Sequence, residues 1–169
     1  MQGFNVAEAG HVVQVLPPIS ISGGKTGTRF KMHNAGHVSI LVMIGAMAAV
    51  PTAMFVKVCK DSSGTGATAI PFRYYKSKSN GATVDQTSPP LVAAATGITA
   101  FDAAPNQFYL IEIDAAEIDS TGDASQTTDF PWIEWSITDG GNVTIMSVAA
   151  ILSAQRYQSQ GTSQPTATS

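Results

Sequence analysis

The chain has 169 residues, a formal net charge of −3, 44% hydrophobic residues and only 12% charged ones. That length suits one domain with a core of its own, and Cys59, the single cysteine, has no intramolecular disulfide partner. The slightly acidic balance and scattered Lys and Arg exclude a nucleic-acid footprint, which needs a basic stripe against phosphates, while so few charges imply a surface covered in part by other subunits.

Residues 1–18 read as an extended N-terminal arm. The opening MQGFNVAEAG lacks the basic start and apolar stretch of a secretory leader. No apolar run reaches the roughly 18 residues of a membrane span, so no membrane partner is expected and synthesis in the cytoplasm is. Val12, Val13, Val15 and Leu16 can add a short strand before Pro17 and Pro18 force an extended exit and forbid a central-strand position. Ser22–Gly27 is a turn. From Arg29 to His33 the alternation sets Phe30 and Met32 against Arg29, Lys31 and His33, as in a half-buried strand.

Val38, Ile40, Val42 and Ile44 share a face, yet Leu41 and Met43 lie opposite, so this strand should be covered on both sides. Met54, Val56 and Val58 face one way, Lys57 and Cys59 the other; Cys59 reads as a small packed side chain. Asp61–Thr68 is a hairpin connection into a strand of Ile70, Phe72 and Tyr74, which Pro71 marks as an edge. Lys76–Pro90, with Asn80-Gly81, is a long loop or a hairpin tip. Tyr109, Ile111 and Ile113 point inward and Glu112 and Asp114 outward, and Ala115–Ile118 makes a single helical turn.

In Trp132–Thr138 the period of two places Trp135 in the core and Trp132 at the periphery. Asp139-Gly140-Gly141-Asn142 is the strongest hairpin signal, joining that strand to Val143–Leu152, which is apolar on both faces. Residues 155–169 form a flexible polar tail. About eight or nine strands at hairpin spacing, with negligible helix, predict an all-β chain. The fold is an antiparallel β-sandwich over residues 19–154, most simply a jelly roll, with a closed barrel as runner-up.

The chemical motifs are sparse. Gly23-Gly24-Lys25-Thr26 resembles a phosphate-binding loop, but Ile19 stands where the motif asks for Gly and no helix follows, so it reads as a surface turn. His11, His33 and His37 find no Cys or carboxylate at ligand spacing and read as strand-end histidines. Asp119, Thr121 and Asp123 open like a calcium loop, yet Ala124 and Phe130 occupy the positions that need Gly and Glu. A looser calcium site would draw on Asp114, Glu117, Asp119, Asp123 and Asp129, though a solvated acidic loop accounts for them. Asn142-Val143-Thr144 is a formal glycosylation acceptor that reads as turn and strand. Glu112 and Glu134 would offer an acid and base pair if their strands paired. Tyr74 or Tyr75, Trp132 and Tyr157 are candidates for stacking on sugars or on a subunit. No cofactor, metal or catalytic residue is assigned.

The stretch Asn5–Val13, then Leu16-Pro17-Pro18 and Gly23-Gly24-Lys25-Thr26, resembles the start of small structural proteins of tailed bacteriophages and prophages. Ala69-Ile70-Pro71-Phe72, Phe108–Asp114 and Ser147–Leu152 with Arg156-Tyr157 extend the resemblance over most of the chain. The resemblance implies a virion component at the capsid surface. Its nearest type is a decoration or cement protein without enzymatic activity, a β-rich homotrimer whose partner is the major capsid protein shell. On that reading the capsid or subunit contacts are Phe4, Val6, Val12, Val13, Val15, Leu16, Trp132 and Tyr157, and deleting residues 1–16 should spare the fold while abolishing capsid binding. The competing readings are a host-glycan-binding fibre or tail-associated module, a hydrolase built on Glu112 or Glu134, and a neck or tail-tube component forming larger rings.

Overall fold

A computed structural model of the chain describes residues 10–32, 35–77, 86–87, 89–103, 105–119, 132–138 and 144–155. In chain order its strands are β1 (His11–Ser20), β2 (Lys25–Thr26), β3 (Phe30–Lys31), β4 (Ala35–Met47), β5 (Ala53–Cys59) and β6 (Thr68–Ala69). They continue as β7 (Phe72–Lys76), β8 (Leu91–Ala93), β9 (Gln107–Asp114), β10 (Trp132–Thr138) and β11 (Thr144–Gln155), with one short helix, α1 (Ala115–Asp119), after β9. A six-stranded sheet has the order β1-β11-β4-β9-β7-β8, and a second sheet has the order β2-β10-β5-β6 with β3 also paired to β10. The pairings are antiparallel and the two sheets pack as a β-sandwich.

The inward faces are those that two-residue periodicity dictates. Val38, Ile40, Val42 and Ile44 of β4, Tyr109, Ile111 and Ile113 of β9, and Met146, Val148, Ala150 and Leu152 of β11 line one wall of the core. Met54, Val56 and Val58 of β5 and Ile133, Trp135 and Ile137 of β10 line the other, and all belong to one contiguous cluster. Burying each Ile or Val there contributes about 1.5–3 kcal/mol, which is why the faces tolerate so little register error.

The expected arm is part of the body over residues 11–18. β1 is the edge strand against β11, with Val13, Val15 and Leu16 buried and Val12 exposed. Val15 and Leu16 are adjacent in sequence yet both face inward, which a regular strand forbids. The register shift between Gln14 and Leu16 resolves the conflict by adding a residue on the β1 side. A second shift falls between Leu16 and Ile19, where Pro17 and Pro18 are tolerated because an edge strand need not donate outward. A deletion through residue 16 therefore removes core, not an appendage.

Two further connections and one strand depart from the sequence expectation. β6 and β7 are not one strand: β6 pairs with β5 in the second sheet, and β7 pairs with β8 and β9 in the first, so the chain changes sheets across Ile70-Pro71. β10 and β11 do not pair with each other as the Asp139–Asn142 signal implied; β10 pairs with β2, β3 and β5, and β11 with β1 and β4. Turn propensity marks where the chain reverses, but the partner of each strand is decided by which apolar face must close the core. β8 is a short strand that the sequence pattern did not reveal. Asn80-Gly81, Asp139–Asn142 and the tail beyond residue 155 lie outside the described residues.

Candidate functional site

Because β4, β9 and β11 bury one side chain in two, their other side chains project from the outer face of the six-stranded sheet. Cross-strand register aligns them in rows: Gln14, Ala149, Leu41, Leu110 and Tyr75 form one row across β1, β11, β4, β9 and β7. Ser147, Met43 and Phe108 form the next. Leu41, Leu110, Phe108 and Ile151 are partly exposed there, and Met43 and Ile145 are each 45% exposed. The result is an apolar face on a rigid sheet, with Ser147 and Ala149 of β11 beside bulky side chains on β4 and β9. Contiguous exposed apolar surface of this kind marks an interaction site more often than an isolated exposed Leu does.

One end of the face is charged. His37 on β4 lies opposite Asp114 of β9, and Ser39, two residues on, lies opposite Glu112. Its Nδ1 is 2.7 Å from Asp114 Oδ1 and its Nε2 is 2.5 Å from Glu112 Oε2. Ser39 Oγ donates to Glu112 Oε2 at 2.8 Å. Arg73 of β7, cross-strand from Glu112, pairs with Glu117 of α1 at 3.2 Å. Burial of His37 opposes its protonation, but the hydrogen bonds to Asp114 and Glu112 and their charges outweigh it, so the imidazole pKa is raised.

Asp114, His37 and Ser39 stand in the order of a carboxylate, imidazole and hydroxyl relay. Glu112 breaks it. It occupies Nε2 and accepts the Ser39 proton, while Ser39 Oγ is 3.4 Å from Nε2, so the imidazole has no lone pair directed at the hydroxyl. In this arrangement the Ser39 hydroxyl donates to Glu112 and not to the imidazole. The carboxylates beside His37 were missed in the sequence because strand pairing, not spacing along the chain, brings them there.

The outer face of the second sheet is mixed, with Lys57, Glu134 and Ser136 beside Phe55, Cys59 and Trp132. Glu134, with its side chain only 4% exposed, accepts from Arg29 Nε at 2.6 Å and from Lys57 Nζ at 3.2 Å. The Asp61–Gly66 loop lies close by, with Arg29 Nη1 donating to Ser62 O at 3.4 Å and Asp61 Oδ1 accepting from the Ser63 and Thr65 amides. A Cβ on Gly64 would lie 2.5 Å from the Arg29 guanidinium and displace it, and the backbone there, at φ +85°, favours glycine. Cys59 on the same strand is buried, and burial first, then the Glu134 charge, raises its thiol pKa.

The structure separates the residues that the sequence grouped. Glu112 projects from the outer face of one sheet and Glu134 from the outer face of the other, so the sandwich, about 10 Å between sheets, lies between them and the acid and base pair does not form. Tyr75 and the half-buried Trp132 are likewise on opposite sheets, and Tyr74 packs inside against Phe72 and Tyr109, with ring centroids 6.2 and 6.3 Å away. Of the expected contact residues, Val12 is exposed, Val13, Val15 and Leu16 are core, and Phe4, Val6 and Tyr157 lie outside the described residues. Gly23 and Gly24 adopt positive φ in a turn that enters a strand, not a helix, which removes the basis for a phosphate loop. Among the expected calcium ligands, Asp114 is engaged by His37 and Glu117 by Arg73, and Asp123 and Asp129 lie outside the described residues. Among the described residues no cluster of three or more His, Cys, Asp or Glu is arranged to hold a metal ion.

No protein-family model matches the sequence, and no curated protein matches it. Among the described residues, no helix is long and apolar enough to cross a membrane.

Proposed function

We propose that this chain is a virion structural protein, a capsid decoration or cement protein that seats the outer face of its six-stranded sheet on a shell of major capsid protein. The observation that carries this reading is the apolar surface of Leu41, Met43, Phe108, Leu110 and Ile151, presented by paired strands and so rigid before any partner arrives. Docking it sacrifices little conformational entropy. Repeated over several copies, for which a homotrimer is the expected form, modest contacts become durable through effective concentration. The resemblance to phage structural proteins and the sparse charge support the same reading.

The topology supports it too. We read the strand order as a jelly roll: β1-β11-β4-β9 faces β2/β3-β10-β5-β6, and the β7–β8 hairpin extends the first sheet.

The test uses phage shells stripped of accessory proteins. Wild-type protein should decorate the icosahedral faces in electron micrographs, and Leu41→Glu with Met43→Glu should abolish decoration while the circular dichroism spectrum stays that of a β-protein. Wild-type protein bound at the tail, or a variant that decorates as well as wild type, would overturn the proposal.

A further inference from the structure

The chemistry of His37 supports an inference that does not depend on the docking proposal. Carboxylates only accept hydrogen bonds, and a neutral imidazole has a single N–H, so it satisfies one of the two oxygens set against its ring. With both carboxylates ionised, the two contacts, at 2.7 and 2.5 Å, are made together only by the imidazolium. We infer that His37 is a proton-operated clamp: as an imidazolium it ties β4 to both carboxylates at the α1 end of β9, and on losing its proton it releases one of them.

The surroundings make the clamp directional. β9 supplies Glu112 and Asp114, β4 supplies Ser39, and β11 supplies the uncharged Ser153 as cross-strand neighbour. Arg73 on β7 and Glu117 on α1 face each other at 3.2 Å just beyond. With its proton, the group of His37, Glu112 and Asp114 carries one net negative charge; without it, two carboxylates flank a neutral ring. Ser39 stays bound to Glu112 either way, so Asp114, the more exposed carboxylate at 56% against 26%, is the contact expected to open. Its neighbour in sequence is Ala115, the first residue of α1, so opening reaches the start of the helix.

The sign follows from linkage. The folded pKa of His37 is raised above the unfolded value near 6.5, so its contribution is full below that value and is lost as pH rises through the folded pKa. Two measurements on the full chain test this. In long-range proton–nitrogen spectra, both ring nitrogens of His37 should carry protons at pH 6.5 and titrate above the ordinary imidazole range. In urea unfolding between pH 6 and 8, the wild-type midpoint should fall relative to that of His37→Gln, whose amide has no proton to lose; His11, His33 and Cys59 are common to both proteins and cancel. A His37 that titrates at or below 6.5, or midpoints that run parallel, overturns the inference. Should His37→Gln fail to fold, the spectrum of the wild type decides alone.

Discussion

Arg29, between β2 and β3 alongside β10, holds the buried carboxylate of Glu134, Nε to Oε2 at 2.6 Å, across a sequence separation of 105 residues. The pair sits beside Cys59 and near the Asp61–Gly66 loop, so it ties loop to sheet. Removing one partner strands a charge out of water, which is far more costly than removing both.

Arg29→Ala should therefore lower stability by about 3 kcal/mol, the low end of the cost of breaking a buried pair, because Lys57 remains as a second partner. Arg29→Met combined with Glu134→Leu should cost less than the single change. Urea unfolding of the three proteins checks both statements, and a single variant within about 0.5 kcal/mol of wild type would show that solvent reaches the carboxylate.

Gly97 and Gly23 share a backbone conformation, φ +78° and +79°, but not an environment. A Cβ at Gly97 would lie 2.4 Å from Met54 O, whereas none at Gly23 would meet an atom within 4 Å. Met54 and Ile98 exchange two backbone hydrogen bonds at 2.9 and 3.0 Å beside the close approach, so neither strand can yield freely. Gly23→Ala should cost about 1–2 kcal/mol from the left-handed conformation alone. Gly97→Ala should cost visibly more, as a lower thermal midpoint.

Cys59 should resist thiol reagents in the folded protein and react at the rate of global unfolding, because its side chain is fully enclosed. The raised thiol pKa has a stability consequence of known sign: the folded thiol keeps a proton that the unfolded chain gives up near pH 8.5, so stability falls as pH rises beyond that value. Cys59→Ala should flatten this alkaline slope in denaturant titrations.

Deleting residues 1–16 should unfold the domain or drive it to aggregate. The deletion takes Val13, Val15 and Leu16 from the core and leaves β11 as an uncovered edge from Val148 to Leu152. Size-exclusion chromatography and circular dichroism report the outcome. A folded monomer from the truncated chain would mean that β1 is an accessory strand.

The amino-acid pattern alone determined the longer central strands and their faces. Val38, Ile40, Val42 and Ile44, then Met54, Val56 and Val58, then Ile133, Trp135 and Ile137 are core because side chains alternate every two residues, whatever the strand lies next to. The peripheral Trp132, the enclosed Cys59 and the single helical turn at Ala115 were legible for the same local reason.

Tertiary structure alone decided who neighbours whom. That Trp132–Thr138 and Thr144–Gln155 enter different sheets, that Glu112 and Glu134 point away from each other, and that His37 meets two carboxylates 75 and 77 residues away are consequences of long-range pairing. Hydrophobic periodicity says which face is inward, but it is silent on the partner. The partner is chosen by the combined closure of both sheets over one core, a property of the whole chain and of no segment within it.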